Sequence, residues 1–146
     1  MKLLLRSIST FDIDKLAPLG KEIGWTEGDF LNAFDERHLG VVACRTDETV
    51  VGYLIAKAVK RRLDIKAAYV VPKHRRKGIG TAMYQHCLML DRMAGAFPAT
   101  SLSATPREDW LACCLWLKSL GFKAEGMAKR CYTGEYEDGI HFFKEL

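Results

Sequence analysis

Residues 69–81 read YVVPKHRRKGIGT, and this stretch decides how the rest of the chain is interpreted. It begins as a β-branched and aromatic strand, continues as a cationic loop, and ends in two glycines at the start of a helix. Gly78 and Gly80 lack side chains that would keep a phosphate from the backbone, and the free N–H groups of a first helical turn point outward. The three cations before Gly78 add favourable charge. The stretch therefore predicts a cradle for a pyrophosphate.

The common nucleotide motifs fit this stretch poorly. The pattern G-x-x-x-x-G-K-[ST] is absent, and GIGTAM at residues 78–83 lacks the third glycine of the dinucleotide fingerprint. A solvated basic turn that caps a helix is the alternative interpretation. The remaining sequence has to decide between the two.

The flanking sequence predicts short strands mixed with amphipathic helices. Predicted strands lie at Leu3–Ile8, Val41–Cys44, Val50–Lys57, Leu63–Val71, Thr100–Thr105, Phe122–Arg130 and Gly139–Lys144. Predicted helices run from Ser9 to Leu19, from Thr26 to Glu36, from Gly78 to Met93 and from Asp109 to Leu120. The order βααβββαβαββ predicts an α/β (α+β) sheet domain.

Length and composition predict one ordinary globular domain over residues 1–146, with 49% apolar residues, 27% charged residues and a net charge of +4. Five cysteines without a C-x-x-C spacing argue against a disulfide framework, and the histidines show no metal-ligand spacing. The opening MKLLLR is too short for a signal-peptide core, and no later stretch approaches a membrane span. We therefore expect a cytoplasmic protein without a metal and without membrane contact.

Three motifs together resemble the GNAT acetyltransferases. RRKGIG at residues 75–80 resembles their R/Q-x-x-G-x-G/A pyrophosphate loop, and Val71-Pro72 precedes it as a strand end and proline commonly do in that family. WTEGDF at residues 25–30 is similar to the Trp-Ser-Glu-x-x-Phe helix start of the branch that acetylates protein N-termini, such as the ribosomal-protein alanine acetyltransferases. Leu120-Gly121-Phe122 resembles the family's Leu-Gly-Phe. The resemblance implies a central, mixed but mostly antiparallel sheet of about seven strands with about four helices.

The resemblance also implies a site for acetyl-CoA. The backbone of Ala68, Tyr69 and Val70 would hold the pantetheine arm and polarise the thioester carbonyl. The pyrophosphate would lie against Arg75, Arg76, Lys77, Gly78, Ile79, Gly80 and Thr81. Asp64 falls where relatives often place an acidic residue, so it is a candidate proton relay, with an exposed strand carboxylate as the alternative.

The family pattern fails on the helix before Gly121. Trp110 and Leu117 occupy the positions where the family usually has a cofactor-binding asparagine and an acidic tyrosine, and neither can do that work. Cys114 shares a face with Leu117 and is a candidate acid, with a small core residue as the alternative. Trp116 is adjacent but faces elsewhere. The resemblance also makes Tyr132 a candidate catalytic and substrate-loop residue, with Trp25 and Tyr136 as further candidate substrate contacts.

The implied activity is direct transfer of an acetyl group from acetyl-CoA to an amine, which is a protein N-terminus, a lysine, a polyamine or a small metabolite. The protein would act as a monomer or homodimer. One alternative is a non-catalytic acyl-CoA-binding domain, suggested by Trp110 and Leu117. Another is nucleic-acid binding through Lys57, Lys60, Arg61, Arg62 and residues 73–77, which is disfavoured because aromatic residues are not interleaved with these cations.

Overall fold

The computed structural model describes residues 2–34, 38–94, 97–107, 110–128 and 139–146, and its elements follow the predicted order. The strands within these residues are β1 (Leu3–Ser7), β2 (His38–Arg45), β3 (Val50–Val59), β4 (Arg62–Val70), β5 (Ser101–Ala104), β6 (Lys123–Ala128) and β7 (Gly139–Glu145). The α-helices there are α1 (Ile13–Leu16), α2 (Glu27–Asn32), α3 (Ile79–Ala94) and α4 (Leu111–Ser119).

All seven strands form one sheet in the order β1-β2-β3-β4-β5-β7-β6. Neighbouring strands are antiparallel except for β4 and β5, which are parallel. The helix α3 lies between β4 and β5 in the chain and makes the long crossover that a parallel pair requires. The predicted α/β (α+β) fold with a mixed, mostly antiparallel sheet is confirmed.

Alternation along the strands divides the interior into two cores, one on each face of the sheet. On β2, Val41 and Ala43 belong to the core that contains Met83 of α3 and Leu117 of α4. Their neighbours Val42 and Cys44 belong to the opposite core, with Leu16 of α1 and Phe30 of α2. The sheet is therefore the middle layer, with α1 and α2 covering one face and α3 and α4 the other.

The first predicted helix is only partly α-helical. The segment runs from a 3-10 turn at Thr10–Asp12 through α1 to a 3-10 helix at Ala17–Ile23. Pro18 has no N–H to give and its ring crowds the carbonyl one turn earlier, which breaks an α-helix at this point. The prediction of one continuous helix to Leu19 was wrong for this reason.

The predicted helix start at Thr26 and the predicted helix end at Gly121 are confirmed. Thr26 caps α2 by accepting from the N–H of Asp29 at 3.2 Å, and the Asp29 carboxylate accepts from the Thr26 N–H at 2.8 Å. Trp25 packs edge-on against Phe30, with ring centroids 5.1 Å apart. After α4, Gly121 adopts φ +95°, a left-handed conformation that ends the helix.

An ion pair between the half-exposed Arg6 and the buried Asp12 ties β1 to the 3-10 turn that follows it. The Arg6 guanidinium donates to both carboxylate oxygens of Asp12, at 2.8 and 2.6 Å, and the Ser9 N–H donates to the same carboxylate at 2.8 Å. Burial by itself would raise the pKa of Asp12, but these hydrogen bonds outweigh burial and hold the pKa below the ordinary value of 3.8. The ionised form of Asp12 therefore stabilises the fold.

Asp12→Asn is expected to lower the free energy of unfolding at pH 7 by about 2 kcal/mol, because it weakens hydrogen bonds to a charged, buried group. Since the pKa of Asp12 is lowered on folding, its contribution is present above the unfolded value and is lost as the pH falls through the folded value. The difference between wild type and variant in urea unfolding should therefore shrink as the pH falls below 3.8. The exposed Asp14→Asn is the matched control and should change stability by less than about 0.5 kcal/mol at either pH.

Candidate active site

The parallel strands β4 and β5 pair over only four residues and then separate. Their register runs from Arg62 opposite Ser101 to Ile65 opposite Ala104. On the other side of β4, Ile55 pairs with Ala67 and Ala56 pairs with Ile65, so Lys66 is an extra residue in the ladder to β3. A bulge of this kind bends its strand, and here it lies at the point where pairing to β5 stops.

Beyond the bulge, β4 pairs with β3 on one edge only. Backbone N–H and C=O groups point outward from its other edge. The N–H of Val71 donates to the Val51 carbonyl at 2.9 Å. Because hydrogen-bonding direction alternates along an antiparallel ladder, the N–H and C=O groups of Ala68 and Val70 point away from β3. The predicted cofactor strand thus presents backbone donors and acceptors to the gap on the β5 side.

A tight loop leads from the end of β4 to the predicted cradle. Pro72–His74 form a 3-10 turn, and Gly78 adopts φ +77°, which a residue with a side chain rarely tolerates. The Ala82 N–H donates to the Gly78 carbonyl at 3.0 Å, so α3 begins at Ile79 and its first N–H groups have no intrahelical acceptor. A Cβ added at Gly78 would meet nothing within 4 Å, so the approach to these donors is open.

The predicted cations of the cradle lie exposed around this loop. Arg75 donates through Nε to the Val70 carbonyl at 2.7 Å, and its guanidinium stacks over the Tyr69 ring at 5.3 Å. Arg75 is therefore anchored to the end of β4, with its two terminal nitrogens available to a phosphate. Arg76 has φ +63°, a strained conformation for a side-chain residue, and Lys77 follows it on the exposed loop.

Gly80 lies against α4. A Cβ at this position would lie 3.4 Å from the indole of Trp116, which is ordinary van der Waals contact. The Trp116 Nε1–H donates to Thr81 Oγ1 at 3.2 Å. Because the Thr81 oxygen accepts from the indole, the Thr81 hydroxyl proton is free to be donated to an anion. The sequence analysis missed this contact, because Trp116 and Thr81 lie 35 positions apart.

His74 is buried beneath the loop, and neither of its ring nitrogens has a hydrogen-bond partner among the described residues. Burial lowers the pKa of His74, and the cations Lys77 and Lys73 lower it further. His74 is thus a neutral packing residue under the cradle at neutral pH, and its place in a run of cations gave no indication of this.

A cleft of about 650 Å³ opens next to the separation of β4 and β5. It is lined by Trp25, Asp29, Asn32, Ala33, His38, Lys57, Arg62, Asp64, Ile65, Lys66, Ser103, Ala104, Thr105 and His141. Two predicted site residues, Trp25 and Asp64, both line this cleft although they lie far apart in sequence. Lys57 and Arg62, considered for nucleic-acid binding, belong to this concave site.

Asp64 is held in a network of its own. It accepts two hydrogen bonds from Arg62, at 2.7 and 3.2 Å, and one from the Ser103 hydroxyl, and Lys66 lies 3.9 Å away. Burial acts to raise the pKa of Asp64, but the bonds from Arg62 and Ser103 outweigh it and hold the pKa below 3.8. A carboxylate stabilised in this way is a weak base, so the structure weighs against Asp64 as the proton relay.

Neither Leu117, at the predicted family acid position, nor the candidate acid Cys114 lines the cleft. Leu117 is buried in the core below α3, and Cys114 is buried beside it with its thiol directed to the Arg107 carbonyl at 3.9 Å. Burial raises the pKa of Cys114, and it raises the pKa of Cys113 to about 11, so both thiols are weaker acids than an ordinary thiol. Trp110 stands at the start of α4 beneath the Arg107 guanidinium. Tyr132 and Tyr136 lie outside the described residues.

The described residues contain neither a metal-binding cluster nor a membrane-spanning helix. Among residues 2–34, 38–94, 97–107, 110–128 and 139–146, no group of three or more His, Cys, Asp or Glu side chains could hold a metal ion. In that same part of the chain, no helix is both long enough and apolar enough to cross a membrane.

Comparison with known proteins identifies the family. The profile of the acetyltransferase (GNAT) family matches residues 9–122, and the chain belongs to this family. Among proteins with curated functions, none matches the chain in sequence. The predicted family and the predicted class of enzyme, an acetyltransferase, are confirmed.

Several solved structures share the fold over nearly the whole chain. The ribosomal-protein-S18-alanine N-acetyltransferase of Escherichia coli is 20% identical, with a TM-score of 0.84 over 99% of this chain and 94% of that one. Ard1 of Thermoplasma volcanium is 20% identical, with a TM-score of 0.85 over 100% and 99%. NAA60 of Arabidopsis thaliana, in complex with acetyl-CoA, is 16% identical, with a TM-score of 0.84 over 99% of both chains. At these identities the likeness establishes the fold.

Trp116→Phe tests the link between α4 and the cradle. The variant keeps an aromatic ring against Tyr84 but removes the donor to Thr81, so we expect the dissociation constant of acetyl-CoA to rise about three- to tenfold. Isothermal titration calorimetry measures the effect, and thermal unfolding monitors the fold. The exposed Leu115→Ala on the same helix is the control and should leave the affinity unchanged. Equal affinities in wild type and Trp116→Phe would show that the indole serves packing alone.

Proposed function

We propose that the protein transfers the acetyl group of acetyl-CoA to a primary amine, with a protein N-terminus as the first acceptor to test. The observation that carries the proposal is the separation of β4 from β5, which places exposed backbone groups between an anion cradle and a cleft. The thioester would lie along Ala68 and Val70, the pyrophosphate at the start of α3, and the amine in the cleft that contains Trp25.

The chemistry required of these residues is modest. A backbone N–H that points into the gap can stabilise the oxyanion that forms when an amine attacks the thioester carbonyl. A thiolate is a tolerable leaving group, so direct transfer needs no covalent acyl-enzyme. The buried Leu117 removes the family's usual acid position and favours non-catalytic acyl-CoA binding as the second candidate function.

A release assay separates these two functions. Wild type is incubated with acetyl-CoA and a panel of ten-residue peptides with different N-termini, a lysine-containing peptide with a blocked N-terminus, polyamines and small amines. Thiol release and mass spectrometry of the acceptor report transfer, and calorimetry reports binding. Acetylated product supports the proposal, whereas tight binding of acetyl-CoA without product from any amine would identify a binding domain.

Neutralising the loop tests the cradle. Arg75→Gln together with Arg76→Gln should raise the dissociation constant of acetyl-CoA about tenfold or more and flatten its dependence on salt, because phosphate contacts are charge-assisted. Turnover at saturating acetyl-CoA should change less. Lys60→Gln together with Arg61→Gln removes two adjacent exposed cations from the turn between β3 and β4 and is the matched control. If both pairs weaken binding equally, net charge rather than the loop attracts the cofactor.

We also infer that the chain acts as one cytoplasmic domain. Cys44, Cys87, Cys113 and Cys114 are all free thiols, and Cys131 lies outside the described residues. Unpaired cysteines of this kind suit a reducing compartment. Localisation of a fluorescent fusion checks the compartment.

A further inference from the structure

His141 lines the proposed acceptor cleft from β7. Ala104 pairs with Phe142, so the next residues along the antiparallel ladder, Thr105 and His141, stand opposite each other. The Ile140 N–H donates to the Pro106 carbonyl at 2.9 Å and continues the pairing past them. The imidazole therefore lies one residue beyond the end of the β4–β5 ladder, beside the gap.

Thr105 fixes the orientation of this imidazole. Its Oγ1 lies 3.2 Å from His141 Nδ1, and both residues are half-buried. Thr105 shares a face of β5 with Ser103, whose hydroxyl bonds to Asp64, so all four side chains lie on the cleft side of the sheet. With Nδ1 engaged, Nε2 is the nitrogen left to meet a ligand.

Both carboxylates of the cleft already accept hydrogen bonds from the protein. Asp64 is bound by Arg62 and Ser103, and Asp29 accepts from the N–H and the hydroxyl of Thr26 at 2.8 and 3.0 Å. An acceptor amine arrives largely as an ammonium ion at neutral pH and must lose a proton before it can attack. Imidazole is the side chain best suited to take a proton in this pH range.

We propose that His141 is the general base of the acetyl transfer, with Nε2 accepting a proton from the acceptor ammonium. This inference rests on the proposed function. It assigns the tautomer in which Nδ1–H donates to Thr105 Oγ1, because only that tautomer leaves a lone pair on Nε2. Thr105 is a positioning residue.

The protons balance without a separate acid. One proton moves from the ammonium to His141 Nε2, and the neutral amine forms a C–N bond to the thioester carbonyl carbon. As the tetrahedral intermediate collapses, the C–S bond breaks and the second N–H proton neutralises the departing thiolate. The products are the amide, CoA thiol and an imidazolium that returns its proton to water. Burial of Leu117 and Cys114 is compatible with this route.

Several other charged or titratable groups share the cleft with His141. They are Asp29, His38, Lys57, Arg62, Asp64 and Lys66. Their influence is common to wild type and to a variant of His141, so a comparison of pH profiles isolates the contribution of the imidazole.

The test compares kcat/KM of wild type and His141→Gln from pH 6 to 9.5, using acetyl-CoA and a peptide with an N-terminal alanine, or the panel member acetylated fastest. With the alanine peptide at pH 7, the variant should be slower by up to about tenfold, because only about a tenth of peptide N-termini are neutral there. The deficit should fall below about threefold at pH 9, where the amine deprotonates without help. The variant's profile should follow the ionisation of the amine alone.

Two controls make the result specific. His86→Gln, on α3 and away from the cleft, should match wild type in rate and pH profile. Thr105→Val should show part of the loss of rate that His141→Gln shows at pH 7. Thr105→Ser, which keeps the hydroxyl, should recover the wild-type rate. Calorimetry should show the affinity for acetyl-CoA unchanged throughout.

Several outcomes would overturn the inference. They are a His141→Gln profile equal to wild type, a deficit of the same size at every pH, and a loss of the pH dependence in His38→Gln instead. If Thr105→Val matches wild type while His141→Gln does not, the positioning role of Thr105 is excluded. Failure of the proposed function is distinct, because wild type itself would then acetylate no amine in the panel.

Discussion

The site depends on one irregularity in the sheet, the extra residue Lys66 in β4. Up to Ile65 the strand is paired on both edges, and beyond the bulge it keeps only β3. A regular β4 would continue to pair with a longer β5, and the backbone groups of Ala68 and Val70 would then be used within the sheet. Because the bulge bends β4 away, the backbone groups of Ala68 and the N–H of Val70 are left for a ligand, the Val70 carbonyl accepts from Arg75, and the cleft has room to open between the two strands.

Two surfaces that are built differently lie beside this gap. The end of β4 leads directly into the loop that carries Arg75 and the start of α3, so strand, cations and helix N-terminus form one continuous surface. The cleft is assembled instead from parts distant in sequence, with Trp25 before α2, Asp64 on β4 and His141 on β7. A contiguous segment suits the constant part of a ligand such as CoA, whereas an assembled cleft allows the acceptor to vary without disturbing the fold.

The helix α4 contributes both to the core and to the start of α3. Leu117, predicted to stand at the family's acid position, packs in the core, while Trp116 contacts the predicted cradle through Thr81. Gly121 ends the helix as predicted, but counting back along one helix identifies a face and not what that face contacts. Gly80 illustrates the same limit, because it lies beside an indole from another element.

The sequence by itself determined the element order, the cap at Thr26, the stop at Gly121 and the cradle after β4, because each depends on neighbours within a few positions. It misjudged the helix that begins at Ser9, where Pro18 imposed 3-10 geometry. Only the tertiary structure decided that Trp116 meets Thr81, that Asp64 is bound by Arg62 and Ser103, and that His141 stands opposite Thr105 at the edge of the gap. Apart from the contact of Arg62 with Asp64, which lie two residues apart on β4, these contacts depend on how strands and helices distant in sequence pair and pack. Local periodicity carries no information about such pairing, so the side chains available for proton transfer emerge only when the sheet is assembled.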